Sequence, residues 1–197
     1  TGHRTKTTIT MERKGKDILK ALIAEGRLSA SVPSCKKEKP DSVSGSGTYG
    51  ASYRNITQGD WSYRWHEDYG MAFYFVGVAS SSSKPDCYAE FYFTDNLLST
   101  DFDLTAPPAT LKPYTLWLVF GFGGEQRFAY RINRDTSGDP AASWTSGGAV
   151  ISLGKVRIDK GPGLGEFTVK MDITADGKNM TLHATGQLKQ VNWRSSQ

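Results

Sequence analysis

The chain has 197 residues, 38% hydrophobic and 22% charged, with a formal net charge of +4. That is enough apolar material for a folded domain and too much for a wholly disordered chain. No run of 18 apolar residues is present, which excludes a membrane-spanning helix, and the 21 glycines follow no three-residue period, which excludes collagen.

Charge and aromatic content divide the chain. Residues 1–39 carry ten Lys/Arg against four acids, whereas the rest carries fourteen against sixteen. All Phe, Tyr and Trp residues lie at or beyond Tyr49. The mildly acidic body speaks against nucleic acid as a partner, because that binding runs on Lys/Arg neutralising phosphates. These shifts predict three parts: a basic, aromatic-free leader over 1–39, a Ser/Gly-rich flexible joint over 40–50 (PDSVSGSGTYG), and a β domain over 51–197.

Within the leader, residues 7–13 (TTITMER) alternate as a short strand would. Residues 17–26 (DILKALIAEG) offer a helix start at Asp17, an apolar stripe of Ile18, Leu19, Leu22 and Ile23, and a stop at Gly26. One reading is a short amphipathic helix docked on the body. A second rests on the basic start (Arg13, Lys14, Lys16), the apolar middle, then Val32-Pro33-Ser34-Cys35 and the charged run CKKEKPDS. In this order residues 11–39 resemble a bacterial lipoprotein leader. The resemblance implies that Cys35 is acylated and that the following tether holds the domain off the membrane, so membrane contact would run only through the leader.

Cys35 and Cys87 are the two cysteines, and their spacing fits no zinc pattern. Paired, they would close a loop of about 50 residues worth about 4 kcal/mol in the chain-entropy model and place the chain in an oxidising compartment. Unpaired, Cys87 is a small buried residue.

The body reads as strands. Residues 61–65 alternate, followed by hairpin partners over 71–78 and 87–94 across a Ser/Pro loop. Residues 114–122 (YTLWLVFGF), nearly all apolar, suit a central strand. They run through Gly123-Gly124 into 127–132. A strand over 149–158, broken at Gly154, follows a turn at 135–140. The cleanest alternation is Phe167, Val169, Met171, Ile173, then Asp176-Gly177, a tight-hairpin pair, and Met180, Leu182, Ala184. About eight strands without a helical period predict an all-β domain: an antiparallel sandwich, a jelly roll or a closed barrel.

The predicted site lies in one segment. Trp61, Tyr63 and Trp65 share one face of a strand by period 2, Arg64 faces away, and His66, Glu67, Asp68 and Tyr69 follow. A row of indole and phenol rings suits sugar rings or a protein partner, although the same row would also serve as the core face of a strand. The expectation is a secreted or surface-held binding module for carbohydrate or a protein ligand. It has no catalytic residue, metal or cofactor. The alternatives are a glycan-active enzyme, a structural or assembly subunit, and a pore-forming protein. For the enzyme, Glu67, Glu90 and Glu166 are the candidate carboxylates. Asp101 and Asp103, near Asp95 and Asn96, carry calcium-type oxygens without the spacing of an EF-hand. For the pore former, an amphipathic leader before an aromatic β-sandwich resembles the architecture of actinoporins.

Overall fold

The computed structural model describes residues 42–81, 83–111, 113–134 and 140–193. The leader, with the expected short helix, the lipoprotein-like stretch and Cys35, lies outside the described residues.

Two antiparallel sheets face each other. The six-stranded sheet runs in the order β2(Ser52–Ile56)-β1(Val43–Tyr49)-β12(Lys178–Gln187)-β11(Glu166–Ala175)-β10(Ile151–Lys160)-β6(Phe102–Asp103). The seven-stranded sheet runs β13(Lys189–Gln190)-β3(Gln58–His66)-β4(Met71–Ala79)-β5(Cys87–Thr94)-β7(Tyr114–Phe122)-β8(Glu125–Arg134)-β9(Pro140–Thr145), with β13 parallel to β3. Neither sheet closes on itself, so the barrel alternative gives way to an open sandwich.

Turn chemistry sets the long hairpins. Asp176 and Gly177 both hold positive φ (49° and 73°), as do Gly123 and Gly124 (69° and 77°). A two-residue turn with that twist matches the right-handed twist of the strands it joins. Between the sheets, Phe91, Leu118, Phe120, Phe128 and Ile132 on one side meet Val169, Met171, Ile173 and Leu182 on the other, all essentially buried. Each such side chain contributes roughly 1.5–3 kcal/mol of transfer free energy. One end of the sandwich is closed by cations on rings: Arg54 lies 5.3 Å from the Phe122 centroid and pairs with Asp86, and Arg127 lies 5.2 Å from Tyr49.

Three expectations are corrected here. The Ser/Gly-rich joint is in fact strand β1, paired on both sides with β2 and β12. Its glycines serve close packing rather than flexibility: a Cβ on Gly45 would overlap the His183 carbonyl, and one on Gly47 would overlap the Cys87 sulfur. The break expected at Gly154 falls earlier, as a register shift between Ile151 and Leu153, while Gly154 leaves room for Leu104. The short strands β6 and β13 carry too few residues to show a period, and Pro140, expected in a turn, begins edge strand β9.

Candidate binding groove

Alternation gives each strand of the seven-stranded sheet an outward face, and register decides which outward residues become neighbours. Phe75 pairs with Tyr92, Tyr92 with Trp117, Trp117 with Arg131, and Arg131 with Trp144. One lane of side chains thus crosses β4, β5, β7, β8 and β9. At the usual strand separation its four spacings span about 19 Å. Ring centroids are 4.9 Å apart for Phe75–Tyr92 and 5.4 Å for Tyr92–Trp117, and Trp193 meets Tyr92 edge-on at 6.2 Å. Phe75 is the most covered ring, Tyr92 and Trp117 are half-buried, and Trp144 is 53% exposed.

Beside this lane lies a groove of about 1050 Å³, lined among others by Asp60, Tyr88, Glu90, Val119, Gln126 and Lys189. Phe75 and Trp117 belong to both. Glycines shape the floor. The Phe75 ring folds over Gly77, where a Cβ would approach it to 2.9 Å, and the Tyr88 ring lies over Gly121, its cross-strand partner. Burial raises the Tyr88 phenol above its ordinary range and the Glu90 carboxylate raises it further, as two groups sharing a groove should. Asp60, Gly77 and Glu90 form one cross-strand row. Two carboxyl-bearing strands therefore stand two spacings apart, about 9.6 Å, with Gly77 and the Phe75 ring over it between them.

The opposite outer face, on the six-stranded sheet, satisfies itself. Thr48 and Thr181 share a hydrogen bond of 2.7 Å, Thr168 and Thr185 one of 2.8 Å, and the Thr174 hydroxyl donates to Asn179 Oδ1 at 2.9 Å. His183 Nε2 lies 2.9 and 3.0 Å from the two Asp172 oxygens. Arg157 pairs with Asp159 and Asp101, and Lys155 with Asp103. The Lys155 and Thr105 contacts hold the Asp103 carboxyl down at about 2. The carboxylates Asp101 and Asp103 are thus taken up by cations. Asn96 donates to the Pro113 carbonyl at 2.7 Å, and Asp95 accepts from Ala72 N–H at 3.4 Å. Among the described residues no cluster of His, Cys, Asp or Glu is placed to hold a metal ion.

The sequence-predicted patch is divided by the fold. Trp61 is a core residue, 2% exposed, with its ring against Phe167 at 5.6 Å, so it takes no part in a surface row. Tyr63 and Trp65 sit on the same side of β3 but reach past the covering sheet and are 54% and 55% exposed. Tyr63 stacks back on Trp61 and Tyr74. Arg64 is exposed on the other side. His66, half-buried, packs against Tyr69 at 4.6 Å and Phe73 at 6.0 Å, and Glu67, Asp68 and Tyr69 form a short 3-10 turn. These residues flank the strand from two sides rather than forming one platform. The other expected carboxylate, Glu166, accepts the Gly163 N–H at 3.0 Å in the loop before β11, away from Glu90. Cys87 is a buried free thiol, its pKa raised to about 11 by burial, then by Asp86, against a smaller lowering by Arg54. The possible Cys35–Cys87 disulfide falls on Cys35, which lies outside the described residues.

Sequence reasoning missed Phe75, Tyr92, Trp117, Arg131 and Trp144 as a group. The signal for them is strand parity combined with hairpin register. This chain matches no known family model, no curated protein and no solved structure.

Proposed function

We propose that this domain binds a linear glycan along the outer face of its seven-stranded sheet. The observation that carries the reading is the aromatic lane Phe75–Tyr92–Trp117, prolonged by Trp144 in a single register, beside a groove with carboxylate, amide and ammonium groups. Apolar C–H faces of sugars pack against π surfaces, while Asp60, Glu90, Gln126 and Lys189 offer acceptors and donors to hydroxyls. An extracellular or surface-held position accords with that ligand class. The test is isothermal titration with hexaoses of neutral and acidic linear polysaccharides. Trp117→Ala is expected to weaken binding by about 30-fold, the scale of losing one stacked ring at roughly 2 kcal/mol. An unchanged affinity in that variant contradicts the reading.

A second reading rests on the Asp60–Gly77–Glu90 row. The strands that carry these two carboxylates stand about 9.6 Å apart, near the upper end of the carboxyl separation used by inverting glycosidases, where one group protonates the leaving oxygen and the other activates water. Release of new reducing ends, lost in both Glu90→Gln and Asp60→Asn, would establish it. A glycan that binds and stays intact removes it.

A further inference from the structure

The lane is interrupted at one position by a charge. Arg131 occupies the β8 place between Trp117 and Trp144, directly opposite each in the register, and its side chain is exposed. Three other arginines of the described residues are held in ion pairs: Arg54 with Asp86, Arg127 with Glu125, Arg157 with Asp159 and Asp101. Arg131 has no ion pair or hydrogen bond among the described residues, and its guanidinium lies over neither flanking indole. The nearest groove carboxylate, Glu90, is two strands and one row away, about 12 Å from strand spacing and rise. Along β8 its outward neighbours are Ala129 and Asn133. The Asn133 oxygen accepts the Thr115 hydroxyl at 2.9 Å, which leaves the amide NH₂ pointing to other acceptors.

The strands that carry the two indoles stand two spacings apart, about 9.6 Å. One saturated ring in van der Waals contact with two walls, at roughly 3.5–4 Å on each side, needs about 7–8 Å, less than that strand separation. Between the two indoles in the register stands Arg131, whose guanidinium is a planar fork of donors that matches a carboxylate or sulfate in bidentate fashion and is weakly hydrated for a cation. An unpaired guanidinium between two apolar walls discriminates against neutral ligands, because a neutral ring there covers the charge without replacing its water.

Resting on the glycan-binding reading, we propose that Arg131, between Trp117 and Trp144, selects an anionic glycan by taking the carboxylate of a uronic acid unit, or a sulfate ester, into this slot. The aromatic lane supplies affinity common to all linear glycans. Arg131 supplies the preference for charge.

The experiment is titration of the full chain with hexaoses of polygalacturonate, of a sulfated galactan and of neutral xylan and β-glucan, at low and at 0.5 M salt, with polyglutamate as an acidic non-sugar. The expected result is at least tenfold tighter binding of an anionic hexaose than of either neutral one. The margin should shrink at high salt, vanish in Arg131→Gln and survive in part in Arg131→Lys. Stronger binding of the uronate or of the sulfated arm tells which anion is preferred. Equal affinity for neutral and anionic hexaoses, an anionic preference that persists in Arg131→Gln, or polyglutamate binding as tightly as the hexaose overturns this inference and leaves the groove reading in place. Binding of none of the hexaoses overturns both. Unchanged circular dichroism of the Arg131 variants keeps a folding defect out of the comparison.

Discussion

The two outer faces of the sandwich are built from the same strand geometry and spend their polar groups differently. On the six-stranded sheet, Thr meets Thr, His183 meets Asp172, Lys155 meets Asp103 and Arg157 meets two aspartates, so the face is closed in hydrogen-bonding terms. On the seven-stranded sheet the outward positions include a lane of rings, glycines beneath rings, and Arg131 without a partner among the described residues. Exposed pairs contribute little stability, typically below about 1 kcal/mol each, so the first face keeps the domain soluble and in register more than it stabilises it. The second leaves apolar area and charge at the surface, which is where binding energy comes from.

Six substitutions sharpen or break that contrast. The largest effect belongs to the interior that both faces share. Trp61→Ala should cost about 3–5 kcal/mol in denaturant unfolding, the usual loss for a buried indole, whereas Trp65→Ala should stay within about 0.5 kcal/mol. Similar values for the two would mean that β3 is not covered where Trp61 lies.

Next comes the groove face. Trp117→Ala should reduce glycan affinity by about 30-fold, while Thr168→Ala on the opposite face leaves affinity unchanged. A loss in the threonine variant instead would exchange the roles of the two faces. Tyr63→Ala is expected to alter glycan affinity less than threefold, since Tyr63 stands on the core-facing side of β3, away from the lane.

The smallest effect is acid dependence on the closed face. Asp103 is held at about 2, below its unfolded value of roughly 3.9. A depressed carboxyl contributes stability above the unfolded pKa, and that contribution is lost as the pH falls from about 4 through 2. Because the Lys155–Asp103 pair is largely exposed, the contribution is under about 1 kcal/mol. Asp103→Asn should lower the unfolding free energy at neutral pH by that amount, leave it unchanged near pH 2, and so flatten the profile across that window in urea titrations. An unaltered slope would detach Asp103 from the acid response.

Most of the sandwich was legible because hairpins write themselves locally. Alternation over Phe167–Ile173 and 180–184, with Asp176-Gly177 between, predicts both strands and their register, and Tyr114–Phe122 is recovered to the residue. β1 was not legible, since glycines demanded by neighbours 40 to 140 positions away look like linker composition. The site was hidden for a related reason. Phe75, Tyr92, Trp117 and Trp144 are separated by 17, 25 and 27 positions, and only strand pairing places them in one lane. The dense run from Trp61 to Tyr69 drew attention because it is contiguous in sequence. Its parity was read correctly, but the covering sheet ends between Trp61 and Tyr63, which parity cannot reveal.

The most direct test is an amide and indole NMR titration of the isotope-labelled full chain with the hexaose that binds best. The account predicts that shifts concentrate on the indole N–H groups of Trp117 and Trp144 and on amides of β5, β7 and β8, with those of Thr168, Thr181 and His183 unmoved. Perturbations confined to the six-stranded sheet, or to Tyr63, Trp65 and Tyr69, would contradict it.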